Sequence, residues 1–332
     1  MTPSSSPHSF MTGIAPNSRI MEDSQTMTTL EVRGQFIAPV TPFTADGDLM
    51  LDAFVEILRW HLESGAGGFL IAGDNGEGWA LTDAELGQVT EAAKKEAAGR
   101  APIFTGTAAI TAQRTIELSD IAARAGADGL CLQPQSYVLN GTKAEICRRF
   151  ELVSRAVPLP IMLYNNPART GLNLSVDILG GICDVAPVIA LKEASADFVH
   201  VTDVIRAHAE RFAVLVGCCQ LILPGLELGA AGYLSTAPEL WGEGAKRIMA
   251  FETLSLAEKR EIHFAITDVF GTLMGVDTRP AALKAALNML GRPAGFPREP
   301  VQALSPPSEA VVRKVLVRNG LLDKIGAQRA AQ

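Results

Sequence analysis

The chain has 332 residues, 48% of them hydrophobic, with 29 Lys and Arg against 36 Asp and Glu, a formal net charge of −7. This is enough apolar material for one large core, and an α/β barrel of about 250 residues fits within it. The acidic balance lacks the basic footprint of a nucleic-acid binder and offers no polybasic membrane anchor, and no apolar run approaches the roughly 18–20 residues of a spanning helix.

Residues 1–30 are rich in Ser, Thr, Pro and Met and show no apolar period. They contain no apolar stretch of the kind that marks a secretory signal, so a disordered tail is expected. Met11, Met21 and Met27 offer alternative translation starts.

From Gln35 onward, short apolar runs alternate with amphipathic stretches. The runs are Phe36–Val40, Gly68–Ala72, Pro102–Gly106, Gly129–Gln133, Pro160–Tyr164, Val188–Lys192, Ala213–Gly217 and Gly232–Thr236. Runs this short and this apolar read as parallel strands buried on both faces. Between them, stretches such as Leu51–Glu63, Asp83–Ala98 and Thr111–Arg124 place apolar residues three and four apart, the spacing of one helix face. A small repeat marks the helix-to-strand joints: Gly65-Ala66-Gly67-Gly68, Gly126-Ala127-Asp128-Gly129 and Gly229-Ala230-Ala231-Gly232. Glycine there suits a helix C-cap, where the chain enters the left-handed region. Eight βα units predict a closed (β/α)₈ barrel, with an open doubly wound sheet as the competing arrangement.

After Pro238 the strand pattern stops. Helices are predicted at Gly244–Leu256, Ala257–Phe270 and Arg279–Leu290, then a Pro-rich loop over Arg292–Pro307, then a last helix at Ser308–Leu322. The expected organisation is a tail over 1–30, the barrel over 31–241, and a C-terminal helical region over 242–332 packed on the barrel.

The five cysteines, Cys131, Cys147, Cys183, Cys218 and Cys219, are odd in number and form no CxxC pair. They predict reduced thiols in a cytoplasmic enzyme rather than a disulfide framework, and the neighbours Cys218-Cys219 read as core thiols rather than a redox pair.

In a barrel of this kind, catalytic groups sit at the C-terminal ends of strands. Those ends carry Thr41-Pro42-Phe43, Gly73-Asp74-Asn75-Gly76-Glu77, Pro134 to Tyr137, Tyr164-Asn165-Asn166-Pro167 and Lys192-Glu193-Ala194-Ser195. Lys192 closes an apolar run. Burial would lower its pKa and supply the neutral amine that forms imines, whereas an ordinary lysine would snorkel outward from the same place. Tyr164 ends the preceding strand. Its phenol fits either a proton shuttle for carbinolamine chemistry or a core tyrosine with a satisfied hydroxyl. Arg169 follows in a short loop and suits either carboxylate binding or plain surface exposure. His61, His200, His208 and His263 fall in predicted helices with no three-ligand cluster at strand ends, so no metal is expected.

Tyr164-Asn165-Asn166-Pro167-Ala168-Arg169-Thr170-Gly171, followed by Leu191-Lys192-Glu193-Ala194-Ser195, resembles the signature of the dihydrodipicolinate synthase and N-acetylneuraminate lyase family. The resemblance runs from about Gln35 to Leu322. It takes in Pro39-Val40-Thr41-Pro42-Phe43 and the final helices at Arg279–Gly291 and Val311–Leu322. It implies a class I, metal-free and cofactor-free aldolase mechanism. In that mechanism Lys192 forms an imine with pyruvate or a related 2-oxo acid, and Tyr164 is the acid/base beside it. Backbone groups of Gly73, Asp74, Asn75 and Gly76 would hold the substrate carboxylate. Leu234 would present a backbone carbonyl to the centre, and Arg169 would bind the carboxylate of a second substrate. A homotetramer built as a dimer of dimers is also implied, with Tyr137 reaching a neighbour's site as a relay tyrosine.

Two departures qualify the resemblance. Where the family usually shows Gly-Thr-Thr-Gly-Glu or Gly-Ser-Thr-Gly-Glu, this chain has Gly73-Asp74-Asn75-Gly76-Glu77. The tyrosine run after Pro134 is replaced by Gln135-Ser136-Tyr137 in a loop two residues longer. Trp79, just beyond, fits either the substrate mouth or simple packing. The expected function is a Schiff-base lyase acting on a small 2-oxo acid by aldol cleavage, condensation or dehydration. The alternatives are a genuine 4-hydroxy-tetrahydrodipicolinate synthase and a non-catalytic 2-oxo-acid-binding barrel. The presence of both Tyr164 and Lys192 speaks against the last, because a binder needs no proton shuttle.

Overall fold

The computed structural model describes residues 30–322. The expected tail over 1–30 lies, but for its last residue, outside the described residues. Eight parallel strands close into a barrel in chain order: β1 (Gly34–Ile37), β2 (Gly68–Ile71), β3 (Ile103–Gly106), β4 (Gly129–Leu132), β5 (Ile161–Asn165), β6 (Val188–Glu193), β7 (Ala213–Val216) and β8 (Gly232–Tyr233), with β8 pairing back onto β1. The open-sheet alternative is thereby excluded. Around the strands run α1 (Leu51–Glu63), α2 (Asp83–Ala97), α3 (Ala112–Arg124), α4 (Lys143–Ala156), the single turn α5 (Pro167–Thr170), α6 (Val176–Cys183), α7 (Phe198–His208) and α8 (Ile222–Glu227).

Local chemistry explains the joints. Thr82 with Glu85 and Thr142 with Glu145 form reciprocal capping boxes that start α2 and α4. Gly65, Gly126 and Gly229 take φ of 87°, 88° and 100°, the left-handed conformation expected of the repeat.

The strand limits differ from the sequence reading where backbone donors run out. The first run continues apolar to Val40, but β1 stops at Ile37: Pro39 has no N–H to give a ladder, and the following residues are buried as loop. The last run shrinks to two residues. Leu234 still donates to the Val216 carbonyl at 3.0 Å, but Thr236 turns aside to meet Asn75.

Beyond β8 the single helix predicted over Gly244–Leu256 is not formed. A 3₁₀ segment over Pro238–Ala245, the short α9 (Lys246–Met249) and another 3₁₀ turn over Phe251–Thr253 take its place. Gly242 has φ 50° and ψ −124°, which breaks the helical path, and a capping box from Ser255 to Glu258 starts the next helix afresh. Three longer helices follow: α10 (Leu256–Gly275), α11 (Arg279–Met289) and α12 (Pro306–Arg318). The last helix begins two residues before the expected start because Ser305 caps it and Pro306 fits its first turn.

These helices share a core with one side of the barrel. Ile266, Val269, Leu273, Leu283, Leu287 and Val315 pack with Val40, Ile57, Val216, Ile222 and Tyr233. The consequence for the site is positional: the start of α11 is brought to the barrel mouth.

Candidate active site

Tyr164 and Lys192 lie directly opposite each other in the β5–β6 ladder, one residue from the C-terminal end of each strand. The parallel register fixes both side chains on one face of the sheet. Lys192 Nζ sits 4.2 Å from the centroid of the Tyr164 ring, and both residues are buried. Burial pushes the Lys192 ammonium below its ordinary pKa, partly opposed by the Asp74 carboxylate. Burial and then Asp74 push the Tyr164 phenol well above its ordinary value. The tyrosine therefore keeps its proton while the lysine gives its proton up more readily.

The phenol is oriented from two sides. Asn166 Nδ2 donates to Tyr164 Oη at 2.7 Å, and Tyr164 Oη donates to Asp74 Oδ2 at 3.2 Å. Asp74 thus faces the tyrosine instead of capping its own turn. Arg169, half exposed on α5, approaches the same carboxylate oxygen at 3.4 Å. Asn75 is buried, and its Nδ2 donates to Thr236 Oγ1 at 3.2 Å, tying the loop after β2 to the end of β8.

That loop is held tightly. Thr41 Oγ1 donates to the Gly76 carbonyl at 2.7 Å, and a Cβ at Gly76 would meet the Pro39 carbonyl oxygen at 3.0 Å, a contact that would require the neighbouring backbone to give by a few tenths of an ångström. Glu77, in the left-handed conformation at φ 51°, forms a fully buried ion pair with Lys284 of α11 at 2.5 Å, and Lys284 also donates to the Phe296 carbonyl at 2.7 Å. The Arg298 backbone N–H donates to the other Glu77 oxygen at 2.9 Å. Uncompensated, either charge of such a pair would cost several kcal/mol, about 3–5 where one partner is removed, so the contact fixes where the loop can sit.

The β5 and β6 ends are locked in the same way. Asn165 Nδ2 donates to Glu193 Oε2 at 2.8 Å and to Asn173 Oδ1 at 2.7 Å, and the Ser195 N–H donates to Glu193 Oε1 at 2.7 Å. His200 lies 3.4 Å from Glu193, which raises the pKa of its imidazole above the ordinary value. Farther out, His61 and Glu239 are 4.0 Å apart and buried. Burial holds the histidine down at about 3 and the glutamate up at about 8, so near neutrality both are uncharged and no ion pair forms.

Two cavities open at this end of the barrel. One, of about 430 Å³, is lined by Lys192, Asn75, Leu234, Thr236, Cys218 and Arg279, among others. The second, of about 420 Å³, is lined by Gly73, Trp79, Arg114 and Arg169. Asp74 and Tyr164 line both, so their hydrogen bond forms part of the wall between them. Each volume suits a small organic acid.

The expected site residues therefore divide. Lys192, Tyr164, Asp74, Asn75 and Leu234 come together; Gly73 and Arg169 open onto the neighbouring cavity; Gly76 supports the loop from behind. Tyr137 is not brought to Lys192 within the chain. It is 86% exposed at φ 70°, on a loop that also exposes Val138 and Leu139. Cys219 is a core thiol as expected, but Cys218 faces the Lys192 cavity and is only half-buried. Trp79 is half exposed at the second cavity rather than packed. Sequence reasoning missed Arg279, Asn166, Thr236 and the Glu77–Lys284 pair. Asn166 lies inside the signature and Glu77 closes the strand-end motif, so these two carried a local signal.

A model of the dihydrodipicolinate synthetase family matches residues 31–318. A 4-hydroxy-tetrahydrodipicolinate synthase of Maridesulfovibrio salexigens is 32% identical over 292 residues, covering 87% of this chain and 99% of that protein. One from Sorangium cellulosum is 35% identical over 292 residues, covering 87% and 95%. The crystal structure of dihydrodipicolinate synthase from Aquifex aeolicus is 31% identical, with a TM-score of 0.81 over 87% of this chain and 99% of that one. A prophage protein of the same family from E. coli K12, solved in complex with pyruvate, is 27% identical with a TM-score of 0.80 over 87% and 99%.

Proposed function

The chain belongs to the dihydrodipicolinate synthetase family, and on that premise we propose that it is a Schiff-base-forming lyase in which Lys192 captures a pyruvate-type 2-oxo acid. The observation that carries this reading is the buried Lys192 amine held 4.2 Å from the Tyr164 ring across adjacent strand ends. The neutral amine attacks the 2-oxo carbon and gives a carbinolamine. Tyr164 passes the amine proton to the carbinolamine oxygen and then protonates the departing hydroxyl; water leaves, the protonated imine results, and the phenolate takes up the proton lost from C3 as the enamine forms. The imine acts as an electron sink: loss of a C3 proton or breakage of the C3–C4 bond leaves an enamine that is nucleophilic at C3, and in a dehydration that enamine expels the C4 hydroxyl with its bonding electrons. Asp74 accepts the phenol's hydrogen bond and so orients the Tyr164 hydroxyl. Backbone donors of the loop from Gly73 to Gly76 would hold the substrate's C1 carboxylate, and the carbonyl of Leu234 would face the reacting centre. No metal or other cofactor enters this scheme. Incubation with pyruvate and borohydride, followed by mass mapping, is expected to place the adduct on Lys192. Absence of any adduct would favour a barrel that binds without turnover.

The second substrate follows from Asp74. The Asp74 carboxylate accepts hydrogen bonds from substrate hydroxyls, and it already engages Arg169, the cation that the resemblance assigns to the carboxylate of aspartate semialdehyde. We therefore expect cleavage or dehydration of a hydroxylated 2-oxo acid with a second carboxylate to exceed, in kcat/KM, condensation of pyruvate with aspartate semialdehyde. The named relatives favour the other reading, a 4-hydroxy-tetrahydrodipicolinate synthase. A clear preference for aspartate semialdehyde in the same comparison would establish it.

For assembly we propose a homotetramer made of two tight dimers. The exposed Tyr137, Val138 and Leu139, with Ile110 half exposed, leave apolar surface that association would cover. Tyr137 would reach a neighbour's site. Light scattering is expected to give at least a dimer, and a fully active monomer would remove Tyr137 from the site. A cytoplasmic location fits five free cysteines. Among the described residues no helix is long and apolar enough to cross a membrane. Neither a membrane nor a nucleic acid is proposed as a partner.

A further inference from the structure

We propose that Arg279, the first residue of α11, binds the distal carboxylate of the 2-oxo acid held on Lys192. The proposal rests on the imine reading and assigns the far end of the same substrate. Its basis is the division of the barrel mouth. The cavity that contains Lys192 also contains Arg279, whereas Arg169 lines the neighbouring one. A substrate joined to Lys192 Nζ extends into the first cavity.

Charge balance points the same way. Arg169 already faces the Asp74 carboxylate at 3.4 Å. Arg114, in the second cavity with it, is paired with Asp83 and lies 3.2 Å from Glu117. Among the described residues Arg279 makes neither an ion pair nor a side-chain hydrogen bond, and it is partly buried beside Phe270 and Met274. Among the described residues Asp74 is the only carboxylate lining the Lys192 cavity, and it lies on the wall shared with the other cavity. Once the Lys192 nitrogen is committed to the imine, Arg279 is the remaining cation in that cavity with no partner. A planar guanidinium there matches a carboxylate by paired N–H donors. Thr236, Ser195 and Gln220 line the same cavity and offer hydrogen bonds to hydroxyl groups. The substrates are then hydroxylated 2-oxo diacids whose distal carboxylate is held in the Lys192 cavity.

The test compares two probes by borohydride trapping: pyruvate, and 2-oxoglutarate, which adds a distal carboxylate to the same 2-oxo acid head. The readout is the ratio of their half-saturating concentrations for labelling Lys192. In Arg279→Gln, the ratio of 2-oxoglutarate to pyruvate is expected to rise about tenfold or more, the scale of one charge-assisted contact. Arg279→Lys should recover part of the loss. An unchanged ratio in Arg279→Gln, or an equal rise in Arg169→Gln, would overturn the assignment while leaving the imine intact. Failure of the unmodified protein to label Lys192 with either probe would overturn the imine reading and this assignment with it.

Discussion

Lys192→Ala will take up no pyruvate under borohydride and will show no turnover above the uncatalysed background. The chain offers an internal comparison that makes the result informative. Among the described residues Lys284 is the other buried lysine, and burial pushes it down to about 8. A depressed pKa alone would make it a competing nucleophile. It is not free to react: Glu77 holds its ammonium at 2.5 Å and the Phe296 carbonyl takes a second hydrogen bond. Lys192 has no carboxylate in contact and instead faces a cavity and the flank of a tyrosine. Burial depresses both lysines, but only Lys192 is open to a carbonyl carbon. The pH dependence carries the same signature. The amine must be neutral to attack, and burial lowers the Lys192 pKa, so the trapping rate should rise with pH through that lowered value and then level off, below the pH at which an exposed lysine would do so. A label that moves to Lys284 in the wild-type protein, or an alanine variant with full activity, would sink the mechanism.

Local features made most of the barrel legible. Strand runs are apolar because both faces are buried, and helix starts are written in capping boxes that need only neighbouring residues. Lys192 and Tyr164 were legible for the same reason: each closes a run, and a parallel barrel sends run ends to one mouth. What escaped were contacts between elements far apart in sequence. Glu77 and Lys284 each look like a surface charge, and only the docking of α11 makes them a buried pair. Arg279 reads as an ordinary first-turn residue until that docking sets it in the wall of the Lys192 cavity. The same helix therefore fixes the loop that carries Asp74 and supplies a cation to the cavity. Asp74 was legible as a departure, but its partner was not: neither periodicity nor spacing says that its carboxylate meets the Tyr164 hydroxyl.

That hydroxyl is the subject of the other large expected effect. Tyr164→Phe keeps the ring and its packing against Lys192 and removes one oxygen. The fold should survive. Asn166 Nδ2, which is buried, loses its acceptor, and such a loss costs about 1–3 kcal/mol in a chain with a large core. A thermal melt should register this as a modest destabilisation. Pyruvate should still be trapped on Lys192, but slowly, because carbinolamine formation and dehydration both need a proton moved at the attacked oxygen. Turnover should fall by about 10²–10⁴-fold, the usual range for a general acid or base. The two readouts separate a chemical role from a structural one. A merely structural tyrosine would lose rate and stability together, and substrate binding would weaken in step. A proton shuttle would lose kcat far beyond what that modest destabilisation explains, while KM moves little. The Asp74 carboxylate remains in the variant, but it sits beyond the phenol and has no ionisable partner to pass its proton through. A phenylalanine variant within a few-fold of wild type would mean that Asp74 or water reaches the carbinolamine directly, and Tyr164 would leave the proton path.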